Sequence, residues 1–262
     1  MNSILTQTRG PLFEIILNRP ERRNAIDWPM LQALGAAIDQ AEQTSGVRAI
    51  LIRAEGAAFS VGLDLTGLQS IIEQFGERWR ENLFPVTTTM QQILNRVESC
   101  SLPTIALLQG YCLGLGMELA LACDFRVAAD SARLGLPETR LGLIPDVGGT
   151  TRLTRLVGAG HAKELIMTGK QIDTGLADRW GLVNHVVPAA DLLAKGESLA
   201  AELAEAAPLA VSYAKRVINE LGDVQRGLNA ESWAQSVLMR SQDFEIGAAA
   251  VLTKQKPEWT GK

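Results

Sequence analysis

The stretch from Leu102 to Gly158 constrains the fold more than any other part of the sequence. Short apolar segments alternate in it with glycine turns, and Glu118, Glu138 and Asp146 stand in apolar or glycine-rich surroundings. Burying a carboxylate is costly unless the group is paired or hydrogen-bonded, so acids in such a setting need an explanation. We therefore treat these acids as candidate catalytic residues, close to turns whose backbone N–H groups could bind an oxyanion.

Length and composition limit the class of protein. The chain has 262 residues, of which 47% are hydrophobic and 21% charged, which is ordinary for a globular protein and enough for one large domain. The formal net charge of −4 argues against nucleic acid or an anionic membrane as the main partner. The N-terminal residues lack a signal peptide's basic region and apolar core, and no apolar run reaches the roughly 18 residues of a membrane span. We therefore expect a cytoplasmic protein.

The cysteines and histidines give little sign of a metal site. Cys100, Cys112 and Cys123 are odd in number and form no C-x-x-C pair, which predicts buried thiols in a reducing compartment rather than disulfides or a zinc ribbon. His161 and Glu164 have helical spacing, but two potential ligands do not make a metal site. A solvated helix face is the preferred interpretation there, and we predict no bound metal.

Hydrophobic periodicity predicts an α/β body followed by helices. The predicted strands are Leu12–Leu17, Val47–Arg53, Leu102–Leu108, Cys123–Ala128 and Leu182–Val187. The predicted helices of the body cover about Pro29–Gln43 with Asp27 as N-cap, Val86–Glu98 after a break at Pro85, Gly114–Ala122, and a segment that starts near Asp146–Gly149 and ends near Gly158. The later helices are expected at about Ala189–Ala206, Pro208–Leu221, Asp223–Arg240 and Asp243–Lys254.

These elements divide the chain into an α/β core over residues 1–190 and a C-terminal helical region over residues 191–262. Residues 68–97 are uneven in composition, which suits a flexible lid or a pocket wall.

Each of the three acids also has an ordinary structural interpretation. Glu118 could simply favour the first turn of a helix, where the helix dipole stabilises negative charge. Glu138 could be an exposed loop or helix-start carboxylate, and Asp146 could be an N-cap, since Asp is among the best capping residues. Their joint occurrence with two glycine turns, near Gly62 and near Gly114, favours a site.

Other chemistries fit the sequence less well. The segment Gly114–Leu119 lacks the final glycine of a G-x-G-x-x-G dinucleotide fingerprint. The chain contains neither a Walker A sequence nor a G-x-S-x-G nucleophile elbow.

Several motifs together resemble the crotonase (enoyl-CoA hydratase/isomerase) superfamily over nearly the full length. They are Arg19-Pro20 with Asn24-Ala25-Ile26, Ala58–Leu65, Gly110–Leu119 with Cys123-Asp124, and Pro137-Glu138 through Gly142–Gly149. Their order and spacing are specific for the superfamily and much less specific for one reaction.

The resemblance implies a crotonase-like spiral of ββα turns with a C-terminal helical trimerisation region, in trimers or dimers of trimers. It implies an acyl-CoA thioester substrate from fatty acid metabolism and no cofactor besides the coenzyme A of that substrate. By match to the family motifs, the backbone N–H groups of Leu63 and Leu115 would form the oxyanion hole. The residues that would bind coenzyme A are Arg23, Ala25, Ala58, Leu63, Asp64, Leu65 and Thr66, with Arg23 near the phosphates.

The resemblance also implies a reaction and its alternatives. Glu118 and Glu138 match the two glutamates of family hydratases, which predicts a lyase that adds water across the C2=C3 bond of the thioester. Two positions depart from that pattern. Leu115 stands where the family often has glycine, and Asp146 stands where hydratases often have glycine but dienoyl-CoA isomerases have a catalytic aspartate. A double-bond isomerase that uses Asp146 and a non-catalytic acyl-CoA-binding protein are therefore kept as alternatives.

Overall fold

The structure is a computed structural model, and it describes residues 2–67, 69–220, 241–253, 255 and 257–262. Its strands are β1 (Ile4–Arg9), β2 (Leu12–Leu17), β3 (Ala49–Ala54), β4 (Thr104–Leu108), β5 (Tyr111–Leu113), β6 (Phe125–Ala129), β7 (Arg133–Gly135), β8 (Gln171–Asp173) and β9 (His185–Val187). Its helices are α1 (Trp28–Gln43), α2 (Gln69–Phe75), α3 (Leu83–Ser99), α4 (Leu115–Ala122), α5 (Gly149–Thr168), α6 (Thr174–Arg179), α7 (Leu192–Glu205), α8 (Pro208–Glu220) and α9 (Gln242–Thr253).

A six-stranded sheet in the order β1-β2-β3-β4-β6-β9 forms the body of the molecule. The pairs from β2 to β9 are parallel, and only the edge pair of β1 with β2 is antiparallel. Parallel strands are normally covered on both faces and therefore read as continuous apolar runs. Every residue of β2 and of β4 is buried, as this rule requires.

The two faces of this sheet pack against different helices. Ile50 and Ile52 of β3 belong to the large core that α1, α3 and α4 complete. Their neighbours Ala49 and Leu51 point the other way, into a smaller core with Leu199 of α7. The alternation with a period of two thus places the sheet between two layers of helices.

A second sheet, in the order β5-β7-β8, follows the carboxyl end of β4. It leads into α4, the helix that contains Glu118. Its strand β5 is followed at once by Gly114 and α4. An isolated bridge joins Ser60 to Cys112 of β5, and another joins Ile26 to Leu63. These two bridges bring the glycine turn at residue 62 close to the start of α4.

The α/β architecture predicted from the sequence is confirmed. Strand β2 has the predicted bounds, and α1 begins one residue early at Trp28 with Asp27 as its N-cap, whose Oδ1 accepts a hydrogen bond from Met30 N at 2.9 Å. From Leu192 onward the described elements are helices, in the places predicted to within about three residues. The predicted helix over Asp223–Arg240 lies outside the described residues. The division into a core and a helical region stays a prediction.

Several expectations are corrected. Strands β1, β5, β7 and β8 were not predicted, and neither were α2 and α6. Helix α3 begins at Leu83, so that Pro85 lies within its first turn, where a missing N–H costs nothing. The segment expected to end near Gly158 has its break there, at a φ of 79°, but the chain resumes a helix up to Thr168.

The three cysteines are free and buried, as predicted. Among the described residues, the helices are too short or too polar to span a lipid bilayer.

Candidate active site

Two glycine turns lie side by side at the centre of the site. Gly62 and Gly114 both have positive φ angles, of 97° and 53°, which glycine adopts without the strain that a side chain would add. A Cβ atom on Gly62 would lie 3.0 Å from Leu113 O and 3.2 Å from Leu115 N. The close approach of the two turns therefore requires glycine at position 62.

Each turn presents one backbone N–H group to the same cavity. The Leu115 N–H is at the first position of α4, where no carbonyl of the helix can accept it. Leu63 is fixed between two hydrogen bonds of its neighbours, from Ile26 N to Gly62 O at 2.8 Å and from Asp64 N to Ile26 O at 2.9 Å. Within the described part of the chain, neither the Leu63 nor the Leu115 N–H has a protein acceptor. Two fixed, unpaired donors are suited to binding a carbonyl oxygen that gains negative charge.

The cavity between the turns has a volume of about 160 Å³. Glu118, Glu138 and Asp146 all line it, so the structure brings the three predicted acids together. Its other walls are mainly apolar and come from Val61, Gly62, Leu63, Leu65, Met90, Gly114, Leu115, Pro137, Leu141, Leu143, Ile144 and Val147. Leu115, which stands where the family often has glycine, is one of these walls.

Glu118 is the most deeply buried of the three acids. It lies in the first turn of α4 with 2% of its surface exposed, and its Oε1 accepts hydrogen bonds from Val147 N and Gly149 N, both at 2.8 Å. A Cβ on Gly149 would lie 2.9 Å from that oxygen, so position 149 also requires glycine. Burial raises the pKa of Glu118 to about 7, with the two N–H groups opposing the shift and the charges of Glu138 and Asp146 adding to it.

Glu138 opens a short 3₁₀ helix, Glu138–Leu141, and its carboxylate lies against the second glycine turn. A Cβ on Gly114 would lie 3.2 Å from Glu138 Oε1. Its Oε2 is buried and has no hydrogen-bond partner among the described residues. Burial raises the pKa of Glu138, and the charge of Asp146 adds to the shift. Of the two ordinary interpretations, the exposed loop is wrong because Glu138 is half-buried, whereas the helix start is confirmed by its place in the 3₁₀ helix. A helix start alone leaves the buried Oε2 without a partner in the described part of the chain, which is costly unless that oxygen serves a ligand.

Asp146 differs from the two glutamates because it is exposed. The N-cap interpretation is wrong, since the N-cap of α5 is Gly148, with a φ of 105°. The chain around Asp146 is instead tied to α3, where Thr87 Oγ1 donates to Asp146 Oδ2 at 3.1 Å and Gln91 Nε2 donates to Asp146 O at 2.6 Å. Thr87 and Gln91 were not predicted as part of the site, although their spacing of four residues on a predicted helix places them on one face.

The residues predicted to bind coenzyme A do not all reach this cavity. Leu63 and Leu65 line it, whereas Arg23, Ala25, Ala58, Asp64 and Thr66 do not. Arg23 is exposed, with a φ of 51°, while Ala25 and Ala58 are buried. Their contacts with coenzyme A stay a prediction.

The Asp64 side chain is already occupied within the protein. Its Oδ2 accepts from Arg19 Nη2 at 2.9 Å, and its Oδ1 accepts from Thr66 Oγ1 at 2.7 Å. Arg19 also pairs with Asp27, at 3.1 Å. This Arg19 network was not predicted, and it fixes the loop that carries the Leu63 N–H.

His161 and Glu164, the pair with helical spacing, contact other residues of the protein. The His161 ring stacks on Trp180 with 4.4 Å between centroids, and Glu164 pairs with Lys170. In the described ranges, no three His, Cys, Asp or Glu side chains are grouped so that they could hold a metal ion.

Comparisons with known proteins agree on one family. The model of the family described as enoyl-CoA hydratase/isomerase matches residues 7–262. The enoyl-CoA isomerase/hydratase fer4 of Mycosarcoma maydis is 37% identical over 96% of this chain and 93% of its own length. The mitochondrial Delta(3,5)-Delta(2,4)-dienoyl-CoA isomerase of Dictyostelium discoideum is 33% identical over 93% of this chain and 86% of its own.

A solved structure extends this agreement to three dimensions. The crystal structure of an enoyl-CoA hydratase from Bacillus anthracis superposes with a TM-score of 0.91 at 35% identity, covering 99% of this chain and 100% of the other. This match confirms the predicted crotonase-like α/β fold, whereas the C-terminal trimerisation region stays a prediction.

Proposed function

The chain belongs to the enoyl-CoA hydratase/isomerase family, and on this premise we propose that it is a hydratase-type lyase, which adds water across the C2=C3 double bond of an enoyl-CoA thioester. One observation carries the proposal. Two carboxyl groups with raised pKa values, Glu118 and Glu138, line the same small cavity as two unpaired backbone N–H groups.

In this reaction the N–H groups of Leu63 and Leu115 donate to the thioester carbonyl oxygen. As water attacks C3, electron density moves through C2 onto that oxygen, which takes on enolate character. Donors that are already in place stabilise this charge without reorganisation, and the apolar walls strengthen the interaction by excluding water. The reaction needs no cofactor beyond the coenzyme A of the substrate.

The two glutamates supply the proton transfers. Between them they hold one proton: the ionised carboxylate takes a proton from the attacking water, and the protonated one donates to C2. The proton count balances, because the pair gains one proton and loses one in each addition. A pKa of about 7 for Glu118 leaves both of its forms populated at neutral pH, which suits a group that must give and accept protons.

The test is to replace each glutamate by its isosteric amide. We expect Glu118→Gln and Glu138→Gln each to lower kcat for hydration of short and medium enoyl-CoAs by about 10²- to 10⁴-fold, the usual contribution of a general acid or base. The Kd for a saturated acyl-CoA should change little. Glu164→Gln, which removes an exposed carboxylate paired with Lys170, is the matched control. Full hydratase activity in either active-site variant would contradict the proposal.

A double-bond isomerase is the second candidate, and the position of Asp146 favours it. The Asp146 carboxylate lines the catalytic cavity, and one relative is named a dienoyl-CoA isomerase. Isomerisation moves a proton between carbons of the substrate and consumes no water, so a third acid near the acyl chain could carry the proton.

Asp146→Asn separates the two candidates. If the chain is an isomerase, this variant should lose about 10²-fold or more in kcat on dienoyl-CoA substrates, because the proton carrier is gone. If it is a hydratase, hydration should persist in the variant. Thr87→Val, which removes a hydrogen bond to Asp146 but keeps its carboxyl group, is the control. Unchanged dienoyl-CoA turnover in Asp146→Asn would exclude the isomerase role of this residue.

Assembly and location remain expectations. A homotrimer or dimer of trimers and a cytoplasmic location are supported by the family resemblance and by the sequence composition respectively.

A further inference from the structure

The Arg152 guanidinium lies beside the catalytic cavity without lining it. Arg152 is in the first turn of α5 and lines a neighbouring cavity of about 610 Å³ together with Asn95, Glu98 and Arg155. Arg152 is buried, with only 8% of its surface exposed, which is unusual for an arginine. The mechanism described above does not use it.

Three hydrogen bonds fix this side chain between α3 and the chain before α5. Nε donates to Glu98 Oε2 at 2.9 Å, and Nη2 donates to Asn95 Oδ1 at 2.5 Å. The third donor, Nη1, reaches Val147 O at 3.1 Å. The planar guanidinium thus connects two rigid helix positions to one backbone carbonyl, an arrangement that a lysine ammonium cannot reproduce.

The turn that Arg152 holds is the turn that holds Glu118. Val147 accepts from Arg152 through its carbonyl and donates through its N–H to Glu118 Oε1. The next residue, Gly148, has a φ of 105°, and a Cβ there would collide with Arg152 Nη1. Gly149 then supplies the second N–H to Glu118. Backbone conformation, glycine and guanidinium are therefore fitted to one another around this carboxylate.

We propose that Arg152 is a positioning residue, which holds the Val147–Gly149 turn so that its two N–H groups keep the Glu118 carboxylate in its reactive orientation. This inference rests on the proposed function for its catalytic consequence. A small displacement of a reacting group can cost about 10²-fold in rate, so a residue that never touches the substrate can still control kcat.

The proposed role of Arg152 depends on the geometry of its guanidinium and can be separated from the effect of its charge. The ionisable groups that face Glu118 are Glu138 and Asp146, while Glu98 and Arg155 lie near Arg152 on α3 and α5. Arg152→Lys keeps the positive charge and therefore leaves the field at Glu118 nearly unchanged. It removes the fork that spans Asn95 and Val147, so it tests geometry.

The first experiment compares Arg152→Lys with Arg155→Lys. Arg155 lies on the same helix and also pairs with Glu98, at 3.4 Å. Its hydrogen bonds are to Glu98 and Asn219, which lie outside the Val147–Gly149 turn. In Arg152→Lys we expect kcat for enoyl-CoA hydration to fall about 10- to 100-fold with KM unchanged. The limb of the kcat–pH profile that Glu118 governs should move to higher pH, because weakened N–H hydrogen bonds no longer favour ionised Glu118. Arg155→Lys should match the wild type in both.

A second variant guards against misfolding of the first. Glu98→Gln keeps the shape of an acceptor of Arg152 but removes a negative charge, which by itself would lower the pKa of Glu118. A shift to higher pH of the limb that Glu118 governs therefore reports lost positioning in this variant. If Arg152→Lys does not fold, Glu98→Gln decides.

A direct titration separates this inference from the proposed function. The Glu118 carboxyl can be followed by ¹³C NMR in the wild type and in Arg152→Lys, with Glu118→Gln used to assign the signal. A higher Glu118 pKa in Arg152→Lys supports the positioning role even if the wild type hydrates no enoyl-CoA, in which case only the proposed function fails. An unmoved Glu118 titration with wild-type kcat, or an equal loss of kcat in Arg155→Lys, would overturn the inference.

Discussion

At the scale of single residues, the site is built from carboxyl groups whose burial disfavours the charged form. Glu118 is almost fully enclosed, and only two backbone N–H groups offset the loss of water around its charge. A group in this state lowers the stability of the fold in return for a pKa near neutrality.

This cost predicts how stability depends on pH. The pKa of Glu118 rises from 4.5 to about 7 on folding, so the folded protein binds a proton that the unfolded chain releases between those values. The contribution of Glu118 to the free energy of unfolding is therefore fully present below pH 4.5 and declines as pH rises to about 7. The decline is roughly 3 kcal/mol, at 1.36 kcal/mol per pKa unit. Glu118→Gln keeps an acceptor for both N–H groups but cannot ionise.

We expect the free energy of unfolding of Glu118→Gln, relative to the wild type, to increase between pH 4.5 and pH 7 and to level off above. Urea denaturation of both proteins at fixed protein concentration measures this difference. A difference that does not change with pH would mean that Glu118 is not strained by ionisation in the folded state.

At the scale of elements, the sequence predicts what is long and periodic and misses what is short. The bounds of β2 are recovered because five of its six residues are apolar, which is typical of a strand covered on both faces. Strands β5, β7 and β8 have three residues each, over which a period of two cannot be read. Yet β5 is the element that delivers Gly114 and the start of α4 to the site.

The same limit applies to the candidate catalytic groups. Glu118 stands out in the sequence because an acid interrupts an apolar helix next to a glycine turn. The groups that hold the site do not stand out, since their partners are distant in the chain: Thr87 and Gln91 lie 59 and 55 residues from Asp146, and Arg152 lies 57 residues from Asn95. Only the packing of α3 against the start of α5 creates these contacts.

At the scale of the whole molecule, one buried lysine joins the C-terminal helices to the α/β body. Lys215 of α8 pairs with Asp124 at 2.8 Å and donates to Leu102 O at 2.9 Å. Asp124 in turn accepts from Thr104 N at 2.8 Å at the start of β4. Although burial opposes the charge, Asp124 outweighs it and raises the pKa of Lys215, so the ion pair persists at neutral pH.

Lys215→Met should therefore weaken the attachment of α8 to the body. Breaking a buried ion pair from one side leaves a carboxylate without its partner and typically costs about 3–5 kcal/mol. Because the side chain of Asp124 is partly exposed, at 18%, we expect about 2–3 kcal/mol here, measured by urea denaturation. The double variant Lys215→Met/Asp124→Asn should recover part of the loss, since its second change removes the orphaned charge.

Faster limited proteolysis near residues 206–208, between α7 and α8, should accompany the single variant. Equal stability of Lys215→Met and the wild type would show that the other contacts of α8, apolar and polar, hold it to the body without the ion pair.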